Sequence, residues 1–267
     1  MPNHQLDRLL PTVLITMGGR GVRFKEAGYK EPKPFVNVLN KPMIFRVMDL
    51  FPQKWSFVCV MNNEDYDDQH IQRLKDYVGE SRFQHTMISP NSNGPLQTVM
   101  AGVELIADEQ PVFVTYCDYG QEWDAQDFLK FVEAHESDIC FISYKGFHPH
   151  YLGPNMYCYT KTDGFKILDI KEKECFSDRR EKDYASTGGY YFRNAKLLKK
   201  ALLEQQKQHL NWNGEYFTSL AVKALMNVET DLKVHVYEIS KFFQWGTPED
   251  LQAFEYWAKV KYENFFK

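Results

Sequence analysis

The hydrophobic positions of this chain form short apolar runs that alternate with amphipathic or polar segments. Apolar, β-branched runs of strand length predict buried strands, and an apolar period of 3.6 residues predicts helices. In the first half we predict strands over 12–17, 56–61, 86–88 and 111–117, and helices over 40–51, 65–77 and 96–106. In the second half we predict strands over 139–144, 155–160, 166–170 and 188–192, and helices over 196–206, 216–226 and 248–262.

This order of elements predicts an α/β fold with a central mixed, mainly parallel sheet flanked by helices, because parallel strands are joined by helical crossovers. The length of 267 residues suits one large domain. In such sheets ligands bind beyond the carboxyl ends of the strands. Two loops fall at such ends, one after Met17 and one at Asp118. They are the first candidates for a binding site.

Composition narrows the class of partner. The formal net charge is −4, which argues against nucleic acid because duplex binders carry a basic face. The five cysteines are scattered without a Cys-x-x-Cys pair, so we expect core thiols in a reducing compartment and no zinc site. The first ten residues do not resemble a signal peptide, and no apolar stretch has the length of a membrane span. We therefore expect a cytoplasmic protein with no membrane partner.

The strongest chemical signal is a glycine-rich loop directly after the first strand. It reads Met17-Gly18-Gly19-Arg20-Gly21-Val22-Arg23-Phe24. Glycines allow backbone N–H groups to approach an anion closely. The loop is not a P-loop, because no Gly-Lys-Ser/Thr closes it. It also differs from the dinucleotide fingerprint, because we predict no helix directly after it and Arg23 stands inside it. Alone, it is equally a tight turn.

A second cluster places Lys33 between Pro32 and Pro34, and the prolines restrict the local backbone. Alone, this segment is interpreted as a rigid loop with a solvated lysine, but ten residues after Arg23 it indicates a positioned cation. Lys41-Pro42-Met43-Ile44 follows. Together with the glycine-rich loop, these segments resemble the signature of the sugar-phosphate nucleotidyltransferases, in particular the stand-alone members found with capsule and surface-polysaccharide genes. The resemblance implies one Rossmann-like domain of GT-A type over 1–267, with a nucleotide-binding half over about 11–120 and an acceptor-binding half over 121–267.

The resemblance also implies roles for individual residues of the nucleotide-binding half. The catalytic residues would be Arg23, Lys33 and Asp118, and Asp118, at the end of Tyr116-Cys117-Asp118, would bind magnesium. The loop and helix start at Gly94-Pro95-Leu96-Gln97-Thr98 would hold the base. The full set of expected nucleotide contacts is Met17, Gly18, Gly19, Arg20, Gly21, Gly94, Gln97 and Thr98.

Acceptor contacts are implied in three later segments, at Glu172, Lys173, Thr187, Gly188 and Glu215. The segment Gln244-Trp245-Gly246-Thr247-Pro248-Glu249-Asp250-Leu251 resembles the closing element of the family. One departure concerns the metal, since many members have a magnesium-binding aspartate where this chain has Gln244. An amide oxygen can bind a metal but brings no charge. We expect Gln244 or Glu215 at the second metal position, and Glu249 and Asp250 as caps of the last helix.

The implied reaction is in-line attack by a substrate phosphate on the α-phosphorus of an NTP, with release of pyrophosphate. A phosphate monoester is largely ionised at pH 7, so the attack needs no general base. The expected partners are Mg²⁺, an NTP, for which we favour CTP, and a small phosphorylated acceptor for capsule or surface-polysaccharide precursors. Aromatic residues make up 15% of the chain, which is compatible with core packing, pocket lining or a homodimer.

Two other functions remain open at this point. A nucleotide-sugar-dependent glycosyltransferase would share the sheet, although it usually carries an Asp-x-Asp pair at the metal. A catalytically silent nucleotide- or sugar-phosphate-binding protein would explain Gln244. Two further groups we interpret as structural: His148 and His150 as polar residues of an exposed loop, and the Asp65, Asp67 and Asp68 group as a helix start rather than a calcium loop.

Overall fold

A nine-stranded mixed sheet forms the centre of the fold in the computed structural model, which describes residues 10–90 and 93–261. The strands are β1 (Thr12–Met17), β2 (Asn37–Val38), β3 (Lys41–Pro42), β4 (Ser56–Asn62), β5 (Phe83–Ile88), β6 (Val112–Tyr116), β7 (Tyr119–Glu122), β8 (Ile139–Tyr144), β9 (Cys158–Asp163), β10 (Lys166–Glu172), β11 (Tyr184–Phe192), β12 (Val234–Glu238) and β13 (Lys241–Gln244). The order in the sheet is β5-β4-β1-β6-β11-β8-β12-β10-β9.

The helices cover both faces of this sheet. They are α1 (Val22–Glu26), α2 (Met43–Met48), α3 (Asp68–Val78), α4 (Leu96–Val103), α5 (Ala125–Ala134), α6 (Ala195–Lys207), α7 (Thr218–Met226) and α8 (Pro248–Lys261). Short 3-10 turns occur at Lys33–Phe35, Glu80–Arg82, Pro149–Leu152 and Arg180–Lys182. The predicted α/β class, with a mixed central sheet and flanking helices, is confirmed. The sheet is not mainly parallel, because four strand pairs within the described residues are parallel and five are antiparallel.

The first half of the sheet is parallel and places several strand ends at one edge. β5, β4, β1 and β6 run in the same direction, with Thr16 of β1 beside Val60 on one side and Tyr116 on the other. β1 has the side chains expected of a strand buried on both faces, and Val13, Leu14 and Ile15 are fully buried. The glycine-rich loop and the Cys117-Asp118 segment therefore leave the sheet side by side.

The second half joins the first through an antiparallel strand. β11 pairs antiparallel with both β6 and β8, and β12 runs parallel to β8. β12 and α5 were not predicted, and neither was the two-stranded pair of β7 and β13. In that pair Gln244 lies opposite Tyr119, the residue after Asp118. The segment that begins at Gln244 is therefore adjacent to Asp118.

Three predictions in the first half of the chain differ from the structure. The helix expected over 40–51 is only α2, because Pro42 is extended (φ −50°, ψ 136°) and Lys41–Pro42 pairs with Asn37–Val38. A helix does follow the glycine-rich loop: α1 begins at Val22, after Gly21 turns the chain in the left-handed conformation. The helix expected from Asp65 begins at Asp68, where the Asp67 carboxylate accepts hydrogen bonds from the N–H groups of Gln69 and His70.

The aromatic side chains mainly build the core. Rings of Phe51, Trp55, Phe113, Trp123 and Phe128 contact one another in tilted and edge-to-face pairs, with centroids 5.0–6.4 Å apart. The opposite face of the sheet is packed mainly with aliphatic side chains of α4, α6 and α7. Core packing therefore accounts for much of the aromatic content, and the homodimer stays a prediction.

Gly94, in the first half of the chain, packs directly against the backbone of Tyr216 in the second half, and a substitution can test this contact. Gly94 has a φ of 82°, and a Cβ there would lie 2.7 Å from the backbone N and O of Tyr216. We expect Gly94→Ala to lower the free energy of unfolding by about 3 kcal/mol, because it adds a backbone clash to left-handed strain. Urea unfolding measures the change.

Gly28→Ala is the matched control. Gly28 has a similar φ of 86°, and a Cβ there would have no other atom within 4 Å, so this variant isolates the conformational strain of about 1 kcal/mol. Equal losses in the two variants would contradict the close contact between Gly94 and Tyr216.

Candidate active site

A cleft of about 350 Å³ opens at the carboxyl edge of β1 and β6. Its walls come from the glycine-rich loop, the Pro-Lys-Pro segment, the start of α4 and the closing element. The lining residues include Met17, Gly18, Gly19, Arg20, Gly21, Arg23, Lys33, Gly94, Thr98, Tyr116, Asp118, Glu215 and Gly246. Segments far apart in the sequence therefore form one concave surface, as ligand sites in α/β sheets do.

The glycine-rich loop is held by contacts on both sides. Asn62, fully buried at the end of β4, donates from Nδ2 to the Gly19 carbonyl at 3.1 Å and to Asp65 at 3.0 Å. On the other side the loop lies against α4, since a Cβ on Gly18 would be 2.5 Å from the Thr98 hydroxyl oxygen. The chain therefore presents this loop to the cleft in a defined position.

The centre of the cleft is an ion pair between Lys33 and Asp118. The Lys33 ammonium donates to Asp118 Oδ2 at 2.6 Å and to the Gly246 carbonyl at 3.0 Å, and it lies 5.5 Å from the centre of the Phe24 ring. The two side chains are 15% and 26% exposed, so solvent screens the pair only partly. The cleft therefore contains a cation, Lys33, and a carboxylate, Asp118, next to the glycine-rich loop.

The arginines of the loop are exposed and line the same cleft. Arg23 lies on α1, and Arg20 approaches Glu64 at 3.7 Å. Cations at the cleft mouth attract anionic ligands and neutralise charge that forms during phosphoryl transfer. The structure therefore brings Arg23, Lys33 and Asp118 together, as their expected shared role requires.

The expected acceptor residues are not equally accessible. Glu172 and Thr187 are 7% and 2% exposed, and Gly188 is buried. Lys173 reaches Glu215 at 3.7 Å, with its ammonium 4.3 Å from the centre of the Trp212 ring. Among these five residues only Glu215 lines the cleft.

One expected nucleotide contact, Gln97, does not line the main cleft. Gln97 is exposed and lines a separate cavity of about 280 Å³ with Gln206, His209 and Tyr216. Neighbouring Thr98 is 3% exposed and lines the main cleft. Consecutive positions of α4 thus contribute to different cavities.

Gln244 is engaged at both ends of its amide. The Tyr157 hydroxyl donates to its Oε1 at 2.6 Å, and its Nε2 donates to Asp250 Oδ1. Asp250 was expected to cap α8, yet Thr247 is the cap, since its hydroxyl accepts from the Asp250 N–H at 3.1 Å. The Asp250 carboxylate instead lies near Gly246, as the Asp118 carboxylate also does.

The histidine pair corrects the sequence interpretation. His148 and His150 are 9% and 7% exposed, so they are not exposed loop residues. His148 Nε2 lies 3.0 Å from the Phe242 carbonyl, and the Tyr144 hydroxyl lies 3.0 Å from His150 Nδ1. Burial lowers the pKa of both imidazoles, that of His150 to about 3. The alternation of His and Pro gave no sign of this burial.

Sequence reasoning gave three residues of the site no part in binding or positioning a ligand, and it interpreted one of them, Asp65, as part of a helix start. Asn62 positions the loop, Asp65 lines the cleft while bound to Asn62 and Lys25, and Tyr116 lines the cleft just before Asp118. Asn62 ends a buried strand, which is a signal that was available. The positions of Asp65 and Tyr116 depend on contacts between segments.

The sequence profile of the nucleotidyl transferase family matches residues 12–258, and the chain therefore belongs to that family. The predicted resemblance is confirmed.

Two relatives show similarity over part of the chain. It is 27% identical over 144 residues to a mannose-1-phosphate guanyltransferase of Pichia angusta, covering 52% of this chain and 39% of that protein. It is 24% identical over 164 residues to the mannose-1-phosphate guanylyltransferase catalytic subunit beta of Dictyostelium discoideum, covering 60% and 44%. The chain thus matches less than half the length of these relatives.

Solved structures share the fold over nearly the whole chain. The nucleoside-diphosphate-sugar pyrophosphorylase of Vibrio cholerae RC9 has a TM-score of 0.72 at 20% identity, covering 92% of this chain and 100% of that one. A UDP-glucose pyrophosphorylase complexed with UDP-glucose has a TM-score of 0.71 at 15% identity, covering 95% and 100%. At these identities the likeness establishes the fold. Within the described residues, no helix is long and apolar enough to cross a membrane.

Burial of Glu172 generates a pH prediction. Desolvation raises its pKa from 4.5 to about 7, against the opposing effects of the Ser219 hydrogen bond and Lys173. Between these values the folded state binds more protons than the unfolded state, so stability falls as pH rises. We expect Glu172→Gln to be more stable than the native chain by about 3 kcal/mol at pH 8, and by much less at pH 5. Urea unfolding at both pH values measures the difference.

Glu174→Gln is the control, because Glu174 is 68% exposed and lies two residues away. It should leave the pH dependence of stability as in the native chain. A Glu172→Gln advantage that is the same at pH 5 and pH 8 would contradict the raised pKa.

Proposed function

We propose that this chain transfers a nucleoside monophosphate from an NTP to a small phosphorylated acceptor and releases pyrophosphate. The observation that carries the proposal is the Lys33–Asp118 pair beside the glycine-rich loop and Arg23 in one cleft. These groups address the main difficulty of the reaction, which is to bring two anions together. Membership in the nucleotidyl transferase family supports this function over the glycosyltransferase alternative.

In the proposed reaction an acceptor phosphate oxygen forms a bond to the α-phosphorus of the NTP. The bond from the α-phosphorus to the bridging oxygen breaks, and pyrophosphate leaves with that electron pair. The backbone of the glycine-rich loop binds the triphosphate, Arg23 neutralises the leaving pyrophosphate, and Lys33 binds the α-phosphate or the incoming phosphate. No proton needs to be removed, because the attacking phosphate is already ionised.

Magnesium is part of this proposal, and the donors near Gly246 fit it. A Cβ on Gly246 would lie 3.5 Å from Asp118 Oδ2 and 3.9 Å from Asp250 Oδ2, so two carboxylates face the space that the glycine leaves. Carboxylate oxygens are the ligands that Mg²⁺ prefers, together with substrate phosphates and water. Among the described residues no three His, Cys, Asp or Glu side chains form a metal cluster. Asp118 and Asp250 would hold the ion, which would neutralise phosphate charge when bound.

The finer parts of the proposal concern the nucleotide and the pathway. We favour CTP and a role in capsule or surface-polysaccharide precursors, on the resemblance to stand-alone members in such loci. The curated relatives are named for guanylyl transfer, so GTP is the main competitor. A screen of the four NTPs separates them.

The first test follows pyrophosphate release by the native enzyme with each NTP, Mg²⁺ and a panel of small phosphorylated compounds. We expect release with one NTP, and Arg23→Ala should lower kcat by about two to four powers of ten, because a transition-state cation is lost. Lys25→Ala is the control, since Lys25 lies on the same helix but binds Asp65. Near-normal turnover in Arg23→Ala would overturn the role of Arg23, and silence of the native enzyme with every pair would overturn the function.

The metal assignment has its own test, which does not depend on turnover. Electron paramagnetic resonance of free Mn²⁺ measures binding of the metal alone. We expect Asp250→Asn to weaken Mn²⁺ binding about ten-fold, because one of two charged ligands is lost. Glu249→Gln removes a neighbouring charge from the same helical turn and should bind as the native chain does. If Asp118→Asn loses Mn²⁺ and Asp250→Asn does not, Asp250 has no part in the site.

A further inference from the structure

Tyr116 lines the cleft two residues before Asp118, and none of the roles above uses it. It is the last residue of β6, which pairs with β11. Its ring lies directly on Gly188 of β11, where a Cβ would be 2.3 Å from Tyr116 Cδ2 and 2.7 Å from Cε2. Gly188 also has a φ of 95°. The conformation and the missing side chain of this glycine together make room for the ring.

The Tyr116 ring lines the cleft, whereas the buried polar groups Glu172 and Thr187 do not. Glu172 and Thr187, which sequence analysis assigned to the acceptor, are almost fully buried, whereas Tyr116 is partly exposed at the cleft surface. Its own burial raises the pKa of each group, and the Glu172 carboxylate further raises the pKa of the Tyr116 hydroxyl. A ligand in the cleft therefore meets the Tyr116 ring rather than these two buried side chains.

The remaining walls of the cleft show where an acceptor must lie. The glycine-rich loop, Gly94 and Thr98 surround the side on which we place the nucleotide, and Lys33 and Asp118 mark the reaction centre. An acceptor phosphate beside Lys33 leaves the rest of its molecule facing Tyr116 and Glu215. The Glu215 carboxylate, 43% exposed and paired with Lys173, is suited to accept hydrogen bonds from hydroxyl or amino groups.

The cleft is small for a site that must admit two substrates. About 350 Å³ lies near the lower end of the range for ligand pockets, yet the cleft must admit two substrates. The large rigid ring of Tyr116 occupies the space in which a bulky acceptor would extend towards β11.

We propose that Tyr116 is a specificity-determining residue that restricts the acceptor to compact phosphate esters bearing hydroxyl or amino groups. This proposal rests on the proposed nucleotidyl transfer and deepens it. Glycerol 3-phosphate, ribose 5-phosphate and glucose 1-phosphate are suitable probes of increasing size. The native enzyme should have its highest kcat/KM with the smaller probes.

Tyr116→Ala should shift the ratio of kcat/KM for glucose 1-phosphate over glycerol 3-phosphate by about ten-fold or more towards the larger probe, because pocket volume discriminates by such factors. The KM for the NTP should not change. Tyr116→Phe keeps the ring and should keep the native ratio. Tyr116→Leu serves as the smaller variant if Tyr116→Ala does not fold.

Tyr237→Ala is the matched control, because Tyr237 packs against Phe128 and Phe131 away from the cleft. It should keep the native ratio, which separates a local effect from general loosening. Release of pyrophosphate with the same acceptor ratio in the native, Ala and Leu enzymes would overturn the role of Tyr116 alone. No release from any enzyme with any acceptor would overturn the proposed function, and this inference with it.

Discussion

The parallel adjacency of β1 and β6 is the constraint on which the site depends. Thr16 is in register with Tyr116, so the two strands end at the same edge of the sheet. The glycine-rich loop and Asp118 follow these ends directly and must share one cleft. β4 lies on the other side of β1, and its last residue, Asn62, binds the Gly19 carbonyl. Backbone pairing deep in the sheet therefore fixes the position of groups at its surface.

The electrostatics of the cleft follow from this geometry. The Lys33 ammonium would be an isolated, partly buried cation without a partner, and its pairing with Asp118 and the Gly246 carbonyl removes that cost. A phosphate that approaches Lys33 competes with a carboxylate that is itself suited to bind a metal. Under the proposed function anion and cation binding would therefore be coupled in this cleft, since an ion at Asp118 would release the lysine towards phosphate.

The sequence predicted what depends on local pattern and missed what depends on contacts between segments. β1 and β8 were predicted with their observed bounds, because their apolar runs are continuous. α5 is an exception, because it was missed although Asp124 caps it and Ala125, Phe128 and Val132 form a buried face at helical spacing. β12 was also missed, and the extended Pro42 shortened the helix that Asn40-Lys41-Pro42 was expected to open. In the site, the motif residues Arg23, Lys33 and Asp118 converge as expected. The roles of Asn62 and Tyr116 arise only when neighbouring strands meet.

Gln244, which replaces the aspartate of many family members, also shows that contacts between segments change an interpretation made from the sequence. From the sequence alone, a glutamine at position 244 removes a carboxylate from the expected metal site and favours a catalytically silent protein. In the structure Tyr157 fixes the amide oxygen of Gln244, and the amide nitrogen holds one oxygen of Asp250. The other oxygen of Asp250 approaches Gly246 together with Asp118. Under the proposed function Asp118 and Asp250 would supply two carboxylates to the metal, so the loss of charge at position 244 does not by itself favour a catalytically silent protein.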